Sequence, residues 1–354
     1  MRVHQSKPVL HLSFALLLTV IASLNIQAQP PQSAKPAAGY HLLKRIEVGG
    51  EGGWDYLTVD SAARRLYVSH ATRVVVIDLD KNAVVGEIPN TNGVHGIAIV
   101  PELGRGFTSN GRDNNVTIFD VKTLKVISQV KTGTNPDAII YDPASRRVFT
   151  FNGRSNDATA IDAASGNVAG TIALGGKPEF AAADGKGTIY VNIEDKSEVV
   201  AIDSNKLTVK ARWPLAPGEE PSGLAMDRQA RRLFVVCSNK KMIVMNADNG
   251  HVVADLPTGE GTDATAFDPE TKLAFSSNGE GTLTVIHEDS PDKYRVIENA
   301  TTQRGARTMT LDPKTHMVYL ATAQFGPPPA ATPDRPRPRP SIVPGSFVVL
   351  VFGK

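Results

Sequence analysis

The chain contains little cysteine and few aromatic residues, and these shortages limit how its fold is held together. Its 354 residues include one cysteine, Cys237, and 6% aromatic residues. A single thiol excludes disulfide bonds within the chain, so a folded domain must be stabilised by the packing of its core. Cys237 ends the apolar run Leu233–Cys237. We therefore expect a buried, unreactive thiol there and not a nucleophile.

Charge of one sign and the common catalytic signatures are also lacking. The formal net charge is +2, so composition gives no reason to expect nucleic acid or an anionic membrane as a partner. The chain has no Gly-rich phosphate loop, no Cys-x-x-Cys-His haem attachment, no Gly-x-Ser-x-Gly elbow and no His-Glu-x-x-His motif. Any chemistry must therefore come from residues that are scattered along the sequence.

The long apolar run at residues 12–24 has the features of a signal-peptide core. Arg2 and Lys7 precede it, and Ile26-Gln27-Ala28 fits a cleavage site. The run is shorter than the roughly 20 residues of a membrane span, and no cysteine follows it that could carry a lipid. We expect a signal peptide over 1–28, a flexible linker over 29–39, and a periplasmic or secreted protein without a membrane span. An uncleaved membrane anchor is the alternative.

Cleavage after Ala28 predicts a mature protein that begins at Gln29. Intact-mass spectrometry of the protein expressed with its own N-terminus measures this directly. The variant Leu17→Arg places a charge in the apolar run, and we expect it to retain Met1. A wild-type protein that keeps Met1 and fractionates with membranes would support the anchor instead.

The rest of the chain repeats with a period of 40 to 44 residues. In six repeats an acidic residue closes a strand-like segment and opens a turn, and Val100 takes this place in the other repeat; the acidic residues are Asp60, Asp142, Asp184, Asp227, Asp268 and Asp312. An aromatic residue follows about seven positions later: Tyr67, Phe107, Phe149, Tyr190, Phe234, Phe275 and Tyr319. Strand-like repeats of this length are typical of β-propeller blades.

Each repeat holds four strand-like segments, but the last repeat lacks its fourth. The segment 40–48 has the composition of such an outer strand, and pairing the chain ends would cover exposed sheet edges. We predict an all-β fold: a single seven-bladed β-propeller over 40–354, with four antiparallel strands per blade and the last blade closed by the N-terminal strand. A Pro/Arg-rich loop over 326–345 interrupts the last blade. Its residues Arg335, Arg337 and Arg339 form either a cationic arm over one channel mouth or an unattached surface loop.

The second strand of several repeats carries a short motif. Tyr67-Val68-Ser69-His70, Phe107-Thr108-Ser109-Asn110 and Phe149-Thr150-Phe151-Asn152 are similar to the YVTN repeat. On these residues the chain resembles the YVTN-repeat β-propeller family of bacteria and archaea over 40–354. The resemblance implies a secreted, periplasmic or cell-surface propeller, and most members have no assigned reaction. More distant propellers of similar build include lactonases and a streptogramin lyase.

Ionisable residues occupy the position five before the landmark in six of seven repeats. Because inner strands line the channel of a propeller, these positions should surround one mouth. They are Asp55, His95, Asp137, Glu179, Ser222, Asp263 and Arg307. Second strands end on the same face, which adds Asn110, Asn152 and Asn278 as expected ligand contacts. Their following glycines are typical of turns with positive φ. Trp54 either stacks on a ligand or packs between blades.

Three interpretations of this ring remain open. Asp55, His95 and Asp137 could hold a divalent metal such as Ca²⁺, Mg²⁺ or Zn²⁺. Clustered carboxylates could support acid–base chemistry, with His95 as the best catalytic candidate. The ring could also be a hydrated mouth in which Arg307 and Lys177 balance the acids.

The predicted function is therefore binding of a ligand at the channel mouth. The alternatives are a metal-dependent lactonase- or lyase-like enzyme and a protein-interaction scaffold of the cell envelope. The expected partner is a small-molecule or polymeric ligand, or an envelope protein, and the expected state is a monomer. Cations recur in the turns of the opposite face, including Arg64, Arg231 and Lys272. Solvated tight turns explain them better than nucleic-acid binding does.

Overall fold

The computed structural model describes residues 1–4, 39–330 and 340–354. The chain divides into two units, Met1–Ala37 and Ala38–Lys354. Residues 1–4 form no helix or strand, and the described strands all lie in the second unit. The expected signal peptide and linker fall mostly outside the described residues. No helix within the described ranges is long and apolar enough to cross a membrane.

The second unit consists of four-stranded antiparallel sheets that follow the sequence repeats. After β1 (His41–Glu47), the first three sheets are β2 (Trp54–Asp60), β3 (Arg65–His70), β4 (Arg73–Asp78) and β5 (Ala83–Ile88); β6 (Val94–Val100), β7 (Arg105–Asn110), β8 (Asn115–Asp120) and β9 (Val126–Lys131); and β10 (Pro136–Asp142), β11 (Arg147–Asn152), β12 (Asp157–Asp162) and β13 (Val168–Ala173). The next three are β14 (Pro178–Ala183), β15 (Thr188–Ile193), β16 (Glu198–Asp203) and β17 (Thr208–Pro214); β18 (Pro221–Asp227), β19 (Arg232–Cys237), β20 (Lys241–Asn246) and β21 (Val252–Pro257); and β22 (Thr262–Asp268), β23 (Leu273–Asn278), β24 (Thr282–Ser290) and β25 (Lys293–Thr301). The last sheet contains β26 (Thr308–Asp312), β27 (Met317–Thr322) and β28 (Val348–Gly353). Two short 3-10 turns, Pro101–Leu103 and Glu194–Lys196, are the only helical segments in the described ranges.

The two ends of the chain meet in the seventh blade. Strand β1 pairs antiparallel with β28, from His41 opposite Gly353 to Glu47 opposite Val348. The sheet order is β26, β27, β28 and β1, so the N-terminal strand supplies the missing outer strand. The innermost strands contact one another in chain order, and β26 contacts β2. The predicted seven-bladed propeller, closed by its N-terminal strand, is confirmed.

The repeated aromatic residues form the packing between blades. Tyr67, Phe107, Phe149 and their counterparts in the other blades are fully or almost fully buried. Tyr67 of blade 1, for example, lies 5.9 Å from Phe119 of blade 2, measured between ring centroids. Burial of such a side chain contributes about 1.5–3 kcal/mol, which accounts for the aromatic residue in every repeat. Cys237 is also buried, and burial raises its thiol pKa to about 12.

The repeated aspartates end the inner strands and are buried in the turns that follow. Asp312, at the end of β26, accepts hydrogen bonds from the Lys314 N–H, Ser61 and Thr315. Burial alone would raise the pKa of Asp312, but these hydrogen bonds and that of Arg64 outweigh burial and lower it. Asp312 is therefore a structural cap, and the other repeated acids accept equivalent turn hydrogen bonds.

Basic side chains of the same turns join adjacent blades. Arg64 of blade 1 donates to Asp312 Oδ2 of blade 7 at 2.6 Å, across the closure of the ring. The same pattern recurs between other neighbouring blades: Arg231 with Asp184 at 3.1 Å, Lys272 with Asp227 at 3.3 Å and His316 with Asp268 at 2.7 Å. These basic side chains of the turn face thus stabilise contacts between blades, which explains their regular spacing.

We expect the substitution Arg64→Ala to lower the free energy of unfolding by about 2–3 kcal/mol, because it leaves a buried carboxylate without its cation. Urea denaturation measures the loss. Arg295→Ala is the matched control, since it removes the more exposed ion pair with Asp289 and should cost at most about 0.5 kcal/mol. Equal losses for the two variants would contradict a role of Arg64 in ring closure.

Candidate functional site

Small polar residues of the second strands fix the backbone of the mouth residues. The Ser69 hydroxyl accepts a hydrogen bond from the Asp55 N–H at 2.8 Å. The Ser109 hydroxyl donates to the carbonyl oxygen of Asp137 on the next blade. Two further bonds follow this pattern, from the Ser277 hydroxyl to the Arg307 carbonyl and from Asn192 Nδ2 to the Ser222 carbonyl. The third position of the YVTN-like motif therefore supports a mouth residue, of its own blade for Ser69 and of the next blade for Ser109, Asn192 and Ser277.

The inner strands are irregular where they begin. The pairing of β2 with β3 shifts register between Trp54 and Leu57, and β6 and β10 shift at the equivalent places. A register shift breaks the alternation of side chains between the two faces of a sheet. Here the shifted segments contain Asp55, His95 and Asp137.

Asp55, His95 and Asp137, from three consecutive blades, form the centre of the site. His95 Nδ1 lies 2.6 Å from Asp55 Oδ2 and 3.6 Å from Asp137 Oδ1. One potential ligand atom of each residue lies within 4.8 Å of the others. The three side chains are between 15% and 28% exposed. They are therefore accessible from the mouth but sheltered enough for strong electrostatic coupling.

This coupling shifts the pKa values of His95 and Asp137. Burial lowers the His95 pKa, but the hydrogen bond to Asp55 and the charges of Asp137, Asp55 and Glu179 outweigh burial and raise it to about 9. Burial raises the pKa of Asp137, and the negative charge of Asp55 adds to the shift. The histidine is thus a cation between two carboxylates at neutral pH.

The other expected ring residues lie in two ion pairs. Glu179 Oε1 accepts from Lys177 Nζ at 2.7 Å, and Lys177 also pairs with Glu194. Burial and the charge of Asp137 raise the Glu179 pKa. Asp263 Oδ2 lies 3.2 Å from Arg307 Nη1. Burial raises the Asp263 pKa to about 7, although the charge of Arg307 opposes this shift.

Asn110, Asn152 and Asn278 are not at the mouth. All three are fully buried. Asn152 Nδ2 donates to Thr159 Oγ1 at 3.0 Å and to Asp157, while Thr150 donates to Asn152 Oδ1 at 2.8 Å. Asn110 and Asn278 make the equivalent bonds inside their own blades. These asparagines tie the second strand to the third and have no side-chain atom left for a ligand.

The glycine after Asn110 begins the expected turn and also has a packing role. Residues 111–114 form the expected turn, but its positive φ falls on Asn114 and not on Gly111. A Cβ at Gly111 would lie 2.7 Å from His95 Nε2 and 3.0 Å from Asn135 Oδ1. Glycine is required because the His95 ring leans over the backbone at this position.

Tyr56 belongs to the site although the sequence analysis missed it. Its ring lies 5.2 Å from that of Phe180, between centroids, and the two residues come from blades 1 and 4. The two rings therefore meet across the channel and give the mouth a floor. Burial, followed by the charges of Asp137 and Asp55, raises the Tyr56 pKa well above its usual value. The sequence does distinguish Tyr56, because most other blades have Gly, Ala or Thr at the equivalent position, one residue after the ring residue.

Trp54 packs between blades 1 and 7 and also borders a cleft. Its ring stacks on Phe347 at 5.0 Å and is tilted against Phe325 at 6.2 Å. The cleft has a volume of about 470 Å³, and its wall includes Trp54, Arg304, Arg307, Phe325 and Ile342. Phe325 and Ile342 pair at the base of the Pro/Arg-rich loop, so this loop starts on the side of the ring. Arg335, Arg337 and Arg339 lie outside the described residues.

Comparisons with known proteins find similar folds but identify no family. No protein-family model matches the chain, and no curated protein matches it. Among solved structures, Kuenenia stuttgartiensis hydrazine synthase is similar with a TM-score of 0.65 and 17% identity, covering 80% of this chain and 96% of that one. The RRP9 WD40 repeats have a TM-score of 0.73, 8% identity and coverages of 89% and 97%. The structure of U3-55K has a TM-score of 0.72 and 7% identity, and the match covers 88% of this chain and 98% of that one. At these identities the likeness shows the propeller fold alone.

The raised His95 pKa predicts a titration that NMR can follow. In chelator-treated protein we expect the imidazole to lose its proton near pH 9, above the ordinary value of 6.5. Because the shift is upward, its contribution to stability is complete below pH 6.5 and disappears as the pH rises through about 9. Asp55→Asn should move the titration downward. A wild-type imidazole that titrates below about pH 7 would contradict this electrostatic account.

Proposed function

We propose that this protein is an exported propeller that binds a small ligand at the channel mouth, with a divalent cation held by Asp55, His95 and Asp137. One observation carries the proposal: two carboxylates and an imidazole from three blades present ligand atoms within 4.8 Å of one another. Export is supported by the composition of residues 1–28, and membership of the YVTN-repeat family by motifs such as Tyr67-Val68-Ser69-His70.

The donor set fits a first-row divalent metal such as Zn²⁺. Around a tetrahedral Zn²⁺ with ligands at about 2.0–2.1 Å, neighbouring ligand atoms are about 3.4 Å apart. The distances from His95 Nδ1 to Asp55 and Asp137 are 2.6 and 3.6 Å, so small side-chain movements produce this geometry. An imidazole ligand favours Zn²⁺ over Ca²⁺ and Mg²⁺, which prefer oxygen alone.

A metal-dependent enzyme of the lactonase or lyase kind is the second candidate. Three protein ligands leave at least one coordination position for water or substrate. The Tyr56 hydroxyl donates a hydrogen bond to the Asp137 carboxylate and opposes the rise in its pKa, so Tyr56 helps to orient this proposed ligand. A cell-envelope scaffold is the third interpretation, and it requires neither the cation nor the ring.

Isothermal titration calorimetry of chelator-treated protein with Zn²⁺, Mn²⁺, Ca²⁺ and Mg²⁺ tests the cation site. We expect one site with a preference for Zn²⁺ or Mn²⁺. Asp137→Asn and His95→Ala each remove a ligand and should weaken binding by at least about tenfold. Glu280→Gln is the control, because Glu280 is an exposed carboxylate on the loop between β23 and β24 of blade 6, apart from the three proposed ligands.

Binding that survives both Asp137→Asn and His95→Ala would show that the cation is held elsewhere and would favour the scaffold. Stoichiometric binding that is lost in both variants and retained in Glu280→Gln would support the site. Hydrolysis of a lactone by the metal-loaded wild-type protein, absent in His95→Ala, would favour the enzyme.

A further inference from the structure

The cleft beside the acidic ring has a different chemistry from the ring itself. Its volume of about 470 Å³ lies within the range of small-molecule sites, roughly 300–1,000 Å³. Blades 6 and 7 and the start of blade 1 form it, whereas the metal-ligand cluster belongs to blades 1 to 3. The mouth therefore has an acidic part in blades 1 to 3 and a cleft walled by aromatic, apolar and arginine side chains, with Asp263 paired to Arg307 at its edge.

The apolar wall is held in place by its neighbours. Trp54 is fixed by stacking on the buried Phe347 at 5.0 Å. Phe325 is tilted against Trp54 at 6.2 Å, and its backbone pairs with Ile342. All three wall residues, Trp54, Phe325 and Ile342, are partly exposed. A planar apolar group can therefore bind here without a large cost for ordering the wall.

A wall of three glycines adjoins these side chains. The Gly279 N–H donates to the Gly261 carbonyl at 2.9 Å, and the Gly305 N–H donates to the Gly279 carbonyl at 2.8 Å. A Cβ at Gly305 would lie 2.5 Å from the Phe325 ring. Glycine at this position lets the aromatic ring pack on the backbone, and it leaves the cleft open to a flat ligand.

Arg304 and Arg307 give the cleft its charge. Both residues are exposed, and both line the cleft. Arg307 contacts Asp263 at 3.2 Å through Nη1, while 47% of its side chain is exposed. A guanidinium has five N–H donors, so donors remain for a second, bidentate acceptor. Arginine in this setting recognises a planar carboxylate.

We propose that this cleft binds a small aryl carboxylate, with its ring against Trp54 and Phe325 and its carboxylate on Arg304 and Arg307. The inference rests on the proposed function, in that it names the class of ligand taken by the same mouth. The acidic part of the mouth then faces the portion of the ligand that carries no negative charge. The two parts of the mouth together select a molecule that carries an aromatic ring and a carboxylate at the same end.

Tryptophan fluorescence measures this binding directly. The chain has two tryptophans, and Trp213 lies on the outer strand β17, stacked on Tyr190. The variant Trp213→Phe leaves Trp54 as the single reporter at the cleft. We expect benzoate and phenylacetate to change its emission saturably, and benzyl alcohol, which lacks the charge, to bind at least about tenfold more weakly.

Substitutions separate the cleft from unspecific anion binding. In the Trp213→Phe background, Arg307→Gln and Arg304→Gln should each weaken benzoate binding by about tenfold. Arg154→Gln makes the same charge change at an exposed position elsewhere on this face and should leave binding unchanged. Circular dichroism verifies that each variant is folded. If an arginine variant does not fold, the comparison of benzoate with benzyl alcohol on the parent protein decides.

The inference would be overturned by emission that no aryl carboxylate changes saturably, or by equal affinity for benzoate and benzyl alcohol. Unchanged benzoate binding in both arginine variants would do the same. The cation titration is a separate measurement, so the two proposals fail independently. A cation without benzoate binding removes only the ligand class, and benzoate binding without a cation removes only the metal site.

Discussion

The pairing of β1 with β28 is the constraint on which the rest of the structure depends. The chain has one cysteine, so no disulfide can hold the ends of the ring together. The N-terminal strand closes the last sheet by backbone hydrogen bonds, and Arg64 closes the blade interface through Asp312. Closure brings β2 against β26. Only then do the acids of blade 1 and the arginines of blade 7 share one mouth.

The pKa values of aspartates shift in opposite directions at the two ends of the inner strands. At the turn end, hydrogen bonds and cations outweigh burial, and the pKa values of Asp184 and Asp312 are lowered. Their ionised carboxylates stabilise the folded state at pH values above the unfolded pKa. This stabilisation is lost as the pH falls through the lowered pKa of the folded state. At the mouth, burial dominates and raises the pKa of Asp263 to about 7. Ionisation of Asp263 therefore lowers the stability of the folded state as the pH rises through about 7. A carboxyl pKa raised by burial is typical of functional sites.

The mouth is asymmetric although the fold is nearly symmetric. Each blade presents one ring residue, yet the cation between carboxylates, His95, is confined to blades 1 to 3 with its two partners. On the other side, Trp54 and Arg307 border a cleft of about 470 Å³. The Tyr56–Phe180 pair forms a floor between them. The repeated residues build the blades, and the residues that differ between blades give the mouth its charges and its cleft.

The sequence by itself determined the blades, their number and the closure, because one apolar and turn pattern recurs at a fixed period and each copy folds locally. It also indicated that Asp55, His95 and Asp137 begin equivalent strands. It could not show that Asn110 turns into its blade, because this depends on hydrogen bonds to Asn115 and Thr117 of the neighbouring strand. The contacts of Tyr56 with Phe180 and of Arg64 with Asp312 join residues far apart in the chain. Only the tertiary structure decided them, since they depend on which blades lie opposite or adjacent in the closed ring.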